Sequence, residues 1–136
     1  MSGPRYLFDT DICIFLRRQR PPSLVARVAA LSAGEAAISI ITYGELVYGV
    51  VKNAEPDRAR AGLERLIAFL PVLPLPSGVG DTYGEVRALL AIQGEIIGTN
   101  DLWIAAHAIV SNLILVTNNE REFKRVAGLK VENWAK

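Results

Sequence analysis

The sequence predicts an α/β fold, a short and mostly parallel sheet flanked by helices in three layers, and three observations predict it. Short apolar runs alternate with segments of helical period along the whole chain. Several of the runs stop at a polar or acidic residue, as strands do where they leave a sheet. No repeat, low-complexity tract or linker interrupts the alternation, so residues 1–136 are expected to form one domain.

Each element follows in order. Tyr6-Leu7-Phe8 is a strand that stops at Asp9-Thr10-Asp11, and the helix after it runs into a basic cluster, Arg17, Arg18 and Arg20. Ala37 to Ile41 is a second strand, stopping at Thr42, and Thr42 to Val51 a helix. Ala59, Leu63, Leu66, Ile67 and Leu70 recur at helical spacing, opened by Glu55-Pro56, where proline lacks only an amide that has no partner anyway. Leu70 to Leu75 carries Pro71 and Pro74 and fits an edge strand, because proline donates nothing to a ladder. Tyr83, Val86, Leu89, Leu90 and Gln93 mark another amphipathic helix, and Thr99 to Val110 the next. Leu113 to Val116 is a buried strand stopping at Thr117-Asn118-Asn119, followed by a helix over Asn119 to Val126 and a last strand at Lys130 to Glu132.

Composition narrows the chemistry. The 136 residues carry 15 basic and 14 acidic side chains, a net charge of +1, which disfavours a wide electrostatic footprint on nucleic acid and leaves room for a local basic patch. One cysteine, Cys13, excludes a disulfide framework and fits a small buried thiol in a reducing compartment. One cysteine and one histidine, His107, cannot build a Cys/His zinc site, and they weaken any Ser-His or Cys-His reading. His107 lies six positions after Asp101, well round the helix, so packing is its expected role. The N-terminus has no signal-peptide pattern and no stretch suits a membrane helix, so a cytoplasmic protein with no membrane partner is expected. A mean hydropathy of +0.26 is high for so small a monomer and points to apolar surface covered by a second copy or a partner. Tyr43, Val47, Tyr48 and Val51 exceed one core-facing stripe and are candidates for that surface.

In an open parallel sheet the strand ends share one edge, where ligands bind. Asp9 follows the first strand, Glu45 falls in the first turn after the second, Asn119 follows the fourth, and Asp101 opens the helix before it. Taken singly these are helix caps, and Thr42-Tyr43-Gly44-Glu45 fits a capping box. Taken together they are not: carboxylates within about 4 Å repel by roughly 4 kcal/mol per pair at an effective dielectric of 20, more than a cap recovers. A divalent cation reverses that sign. An all-oxygen donor set suits Mg²⁺, with Mn²⁺ as a substitute, and the chemistry expected is metal-assisted phosphodiester hydrolysis.

Four segments also carry a resemblance. Tyr6-Leu7-Phe8-Asp9-Thr10-Asp11-Ile12-Cys13-Ile14, Ile41-Thr42-Tyr43-Gly44-Glu45-Leu46-Val47-Tyr48-Gly49, Gly98 to Ala108 and Leu115 to Phe123 resemble, in order, the four motifs of PIN domains. The small size and the wording are similar to the VapC toxins of bacterial VapBC toxin–antitoxin pairs. The resemblance implies a PIN-like three-layer fold and a Mg²⁺-dependent endoribonuclease acting on RNA. It implies metal-binding acids at Asp9, Glu45 and Asp101, a cognate VapB antitoxin, a homodimer and a toxin–antitoxin hetero-oligomer. Asn119 stands where many members carry a fourth aspartate, with Glu120 as the nearest substitute. Asn119 and Thr117 are expected to position water or phosphate, and Arg121, in a second basic cluster with Lys124 and Arg125, to contact substrate. Alternatives are an RNA-processing PIN nuclease without toxicity and a catalytically weakened PIN module in antitoxin-dependent regulation. A haloacid-dehalogenase-like phosphatase is a weaker rival, because Phe8-Asp9-Thr10-Asp11 and Gly80 to Glu85 imitate its motifs.

Overall fold

A computed structural model describes residues 3–136. Five strands, β1 (Tyr6–Phe8), β2 (Ala36–Ser39), β3 (Val72–Leu73), β4 (Ile114–Val116) and β5 (Val131–Glu132), form one sheet in the order β3-β2-β1-β4-β5. All four pairings are parallel. Seven helices connect them: α1 (Thr10–Arg17), α2 (Pro22–Ala29), α3 (Ile40–Val51), α4 (Pro56–Phe69), α5 (Val79–Gln93), α6 (Thr99–Val110) and α7 (Glu120–Phe123).

β1 and β2 are buried on both faces, and alternation along β1 sorts its side chains between two cores. Tyr6 and Phe8 pack with Ile12, Leu24, Leu46 and Leu63 under α1 to α4. Leu7 packs with Leu90, Leu102, Ala105 and Phe123 under α5 to α7. These are the three layers that the alternating pattern predicts. Trp134 closes the first core from the far end of the chain, its ring edge-on to Tyr6 at 4.8 Å and to Phe8 at 5.5 Å.

The chain runs outward from β1 through β2 to the edge strand β3, then returns to the other side of β1 with β4. The strand order therefore reverses between β1 and β4. At such a switch point the loops leaving two neighbouring strands diverge to opposite faces and open a crevice. Asp9 and Thr117 are the first residues past those strands, and the Asp9 amide donates to the Val116 carbonyl at 3.2 Å, which holds the two strand ends together.

Several boundaries differ from the sequence reading. The second strand stops at Ser39, not Ile41, because Ser39 caps α3 by accepting from the Ile41 amide at 3.2 Å. Ile40 and Ile41 thus belong to the helix, Glu45 sits in its second turn, and the capping-box reading of Thr42 falls. Pro22–Ala29 is a helix that the sequence reading does not contain. The final helix is a single turn, Glu120–Phe123, rather than a run to Val126.

Candidate active site

An open pit of about 220 Å³ lies over the switch point, lined by Asp9, Thr10, Asp11, Glu45, Asp101, Asn119 and Phe123. Four sequence-predicted residues, Asp9, Glu45, Asp101 and Asn119, meet in it although four separate elements supply them.

Asp9 is the most constrained. Its side chain is 4% exposed, Oδ1 accepts from the Ile12 amide at 2.9 Å and caps α1, and Oδ2 accepts from the Thr117 hydroxyl. The cap and the candidate ligand are therefore the same carboxylate. Burial lifts its pKa to about 7, against the two hydrogen bonds that favour the charged form, and the charges of Asp11 and Asp101 raise it further. Asp101, half-buried in the first turn of α6, is raised to about 6, first by burial and then by the charges of Glu122, Glu45 and Asp11. Burial and the neighbouring acids thus both disfavour the charged forms of Asp9 and Asp101. This is the electrostatic state that a divalent cation relieves.

Thr117 is fully buried, and its oxygen also accepts from the Asn119 amide at 2.9 Å, so it ties Asp9 to the loop after β4. Asn119 donates from Nδ2 to Glu122 Oε2 at 2.5 Å. Glu122, not Glu120, is thus the acid that this loop turns toward Asp101. Glu120 is paired instead with Lys136 at 2.8 Å and Lys124 at 3.5 Å, and the Lys136 hydrogen bond foremost holds its carboxyl below the usual range. Residues 120 and 122 differ by about 200° round a helix, whereas 119 and 122 share a face. That three-residue spacing was the signal available in the sequence.

Two further polar residues at the site escaped the sequence reading. Thr10 donates to Glu45 Oε1 at 2.5 Å, and Asn100 Nδ2 donates to Glu45 Oε2 at 3.3 Å. Arg121 is exposed on α7 and does not line the pit. The phosphatase-like segment Gly80 to Glu85 lies within α5 and contributes nothing to the pit, so that rival loses its metal motif.

His107 is buried with Nδ1 2.8 Å from Ser39 Oγ, and burial lowers its pKa. It packs, as its position on α6 predicts. Cys13 is fully buried in the first core, which pushes its thiol pKa up and makes it inert.

All side chains lining the pit carry an oxygen donor apart from the Phe123 ring, the donor chemistry of a hard divalent cation. Among the described residues no three acidic, histidine or cysteine side chains converge on one ion-sized point. The pit therefore fits an ion bound through one or two carboxylates with the remaining positions filled by water, as Mg²⁺ prefers, rather than an all-protein cage. Also among the described residues, no helix is long and apolar enough to cross a membrane.

A parallel sheet with carboxylates gathered at its switch point is the plan of the PIN-domain family, to which this chain belongs: the family's profile matches residues 6–129. Within it, the chain is 41% identical over 130 residues to Ribonuclease VapC2 of Haemophilus influenzae, covering 96% of this chain and 98% of that one. It is 40% identical over 131 residues, with the same coverage, to the tRNA(fMet)-specific endonuclease VapC of Shigella flexneri. Its fold is similar to the crystal structure of DNA-bound VapBC from Salmonella typhimurium, with a TM-score of 0.89, 37% identity and coverage of 96% and 98%.

Proposed function

We propose that this chain, residues 1–136 as one PIN unit, is a divalent-metal-dependent endoribonuclease and the toxin of a type II toxin–antitoxin pair, neutralised by a cognate VapB antitoxin. The observation that carries the nuclease reading is the convergence of Asp9, Glu45 and Asp101, from three separate elements, on one pit at the switch point of the sheet, where burial and neighbouring acids raise the Asp9 and Asp101 carboxyls. The ribonuclease names of the relatives and the VapBC complex of similar fold carry the toxin reading.

Asp9 and Asp101 are the residues that hold the ion, Mg²⁺ with Mn²⁺ as a substitute, and Glu45 joins them through a bound water. The ion, when bound, acidifies a water and neutralises charge on the leaving oxygen of a phosphodiester. Thr117 holds Asp9 in a single orientation, so that its carboxylate is placed before metal or RNA arrives. Asn119 holds Glu122 beside Asp101, and Glu45 orients water at the rim. Arg121 stands outside the pit, where its guanidinium can meet an RNA phosphate. The products expected are a 3′-hydroxyl and a 5′-phosphate. No histidine takes part, in keeping with the burial of His107.

The chain is proposed to act as a homodimer within a toxin–antitoxin hetero-oligomer. Tyr48, Val51 and Ile92 are 66%, 70% and 82% exposed, apolar side chains on α3 and α5 that a second copy would cover. Tyr43 and Val47 pack against the first core instead, which reduces the surface expected from the sequence.

Incubation of total cellular RNA with the purified chain in Mg²⁺, Mn²⁺ or EDTA tests the nuclease, and co-expression with the antitoxin tests the toxin. Metal-dependent cleavage with growth arrest relieved by the antitoxin is expected; folded, antitoxin-free protein that leaves RNA intact in every metal would sink the reading.

A further inference from the structure

Glu45 is the one acid of the pit whose two carboxylate oxygens both meet neutral side-chain donors: Thr10 Oγ1 at Oε1, 2.5 Å, and Asn100 Nδ2 at Oε2, 3.3 Å. The two donors come from opposite sides. Thr10 opens α1 directly after Asp9, and Asn100 lies in the first turn of α6 directly before Asp101. Each candidate metal acid therefore has, as its chain neighbour, a residue that grips the third acid. Thr10 has a rigid backing, since its oxygen lies 3.3 Å from the hydroxyl of Thr42, which is fully buried in α3.

Glutamate has a long side chain, and one that faces two like charges would swing toward solvent if nothing held it. A lysine or arginine would hold it and also cancel its charge, leaving less for a metal. A hydroxyl and an amide hold it while its charge stays whole. From this we infer that Thr10 and Asn100 are positioning residues: they clamp Glu45 from both sides and fix its distance to Asp9 and to Asp101. The inference rests on the metal-nuclease reading above and assigns the third acid its support.

Double-mutant cycles on the full chain test it. Asn100 is exposed, so Asn100→Ala disturbs no packing. It is expected to weaken Mn²⁺ binding to the RNA-free protein, measured by titration calorimetry, and to lower kcat by about 10-fold, the usual scale for a group that orients a ligand. KM for RNA should stay within about two-fold and the thermal midpoint of the metal-free protein should not move. In a Glu45→Ala background the same substitution should change neither quantity further. Thr10→Val should behave like Asn100→Ala and Thr10→Ser should restore the wild type; if Thr10→Val does not fold, the Asn100 cycle decides. Wild-type Mn²⁺ binding and kcat in Asn100→Ala, or an equal loss with Glu45 already removed, would overturn the clamp. Asp101→Asn serves as the control: undiminished Mn²⁺ binding in that variant would strike the metal site itself, whereas loss there with no effect at Asn100 strikes the clamp alone.

Discussion

The Thr117 hydroxyl donates to Asp9 Oδ2 across 108 residues of sequence, in a buried contact that joins the ends of the two central strands. Because Asp9 also caps α1 through its other oxygen, the carboxylate has no freedom to rotate. Thr117→Val keeps the shape of the side chain and removes both the donor to Asp9 and the acceptor of the Asn119 amide. Mn²⁺ affinity and cleavage rate are expected to fall about 10- to 100-fold, and stability at neutral pH by about 1–3 kcal/mol, because a buried carboxylate oxygen loses its partner. Calorimetric titration and denaturant melts measure the two effects.

Asp101 makes a pH dependence with a definite sign. Its pKa is raised in the folded protein from 3.8 to about 6, so between these values the folded chain holds more proton than the unfolded one. Stability of the metal-free protein from this group is present at acid pH and lost as pH rises through about 6. Asp101→Asn should therefore be more stable than wild type by about 1 kcal/mol at pH 7.5 without metal, allowing for solvent screening at a half-buried site, and lose the advantage below about pH 4. Chelator-treated melts across that range read it directly.

The same shifts couple metal to protons. Asp9 and Asp101 must both ionise to take a cation, and their pKa values stand at about 7 and about 6. Metal binding should release protons near pH 6.5 and tighten as pH rises from about 5.5 to 7.5. Mn²⁺ titrations in buffers of different ionisation enthalpy count the protons released; a constant affinity across the range would contradict these shifts.

Glu122 and Glu120 separate by role. Glu122→Gln removes the charge nearest in effect to Asp101 while leaving an amide oxygen that can accept from Asn119, and is expected to lower cleavage about 10-fold or more. Glu120→Gln loses the ion pairs to Lys124 and Lys136, away from the pit, and should leave cleavage within about two-fold. Steady-state rates on one RNA substrate decide between them.

Much of this arrangement was legible in the sequence. The alternation of apolar runs with helical periods gives the three layers, Asp9, Glu45 and Asn119 follow from the rule that ligands collect past strand ends, and Asp101 from a helix start brought to the same edge. What escaped has physical reasons. Ile40 and Ile41 continue an apolar run without a break, and only the capping hydroxyl of Ser39 turns them into helix. Pro22–Ala29 holds a single fully buried residue, Leu24, too few for a visible period. Thr10 and Asn100 act on Glu45 from 35 and 55 residues away, and no local pattern encodes such a contact. Glu122 is legible from its spacing, one turn beyond Asn119 on the same face, whereas Glu120 is only adjacent in sequence.

The most direct test of the central claim, that the switch-point acids hold the cation that cuts RNA, is cleavage of total RNA by wild type, Asp9→Asn and Asp101→Asn in Mn²⁺, with product ends mapped. The account expects metal-dependent cuts ending in 3′-hydroxyl and 5′-phosphate from the wild type, and none from either folded variant. Undiminished metal-dependent cleavage by Asp9→Asn or Asp101→Asn would contradict it.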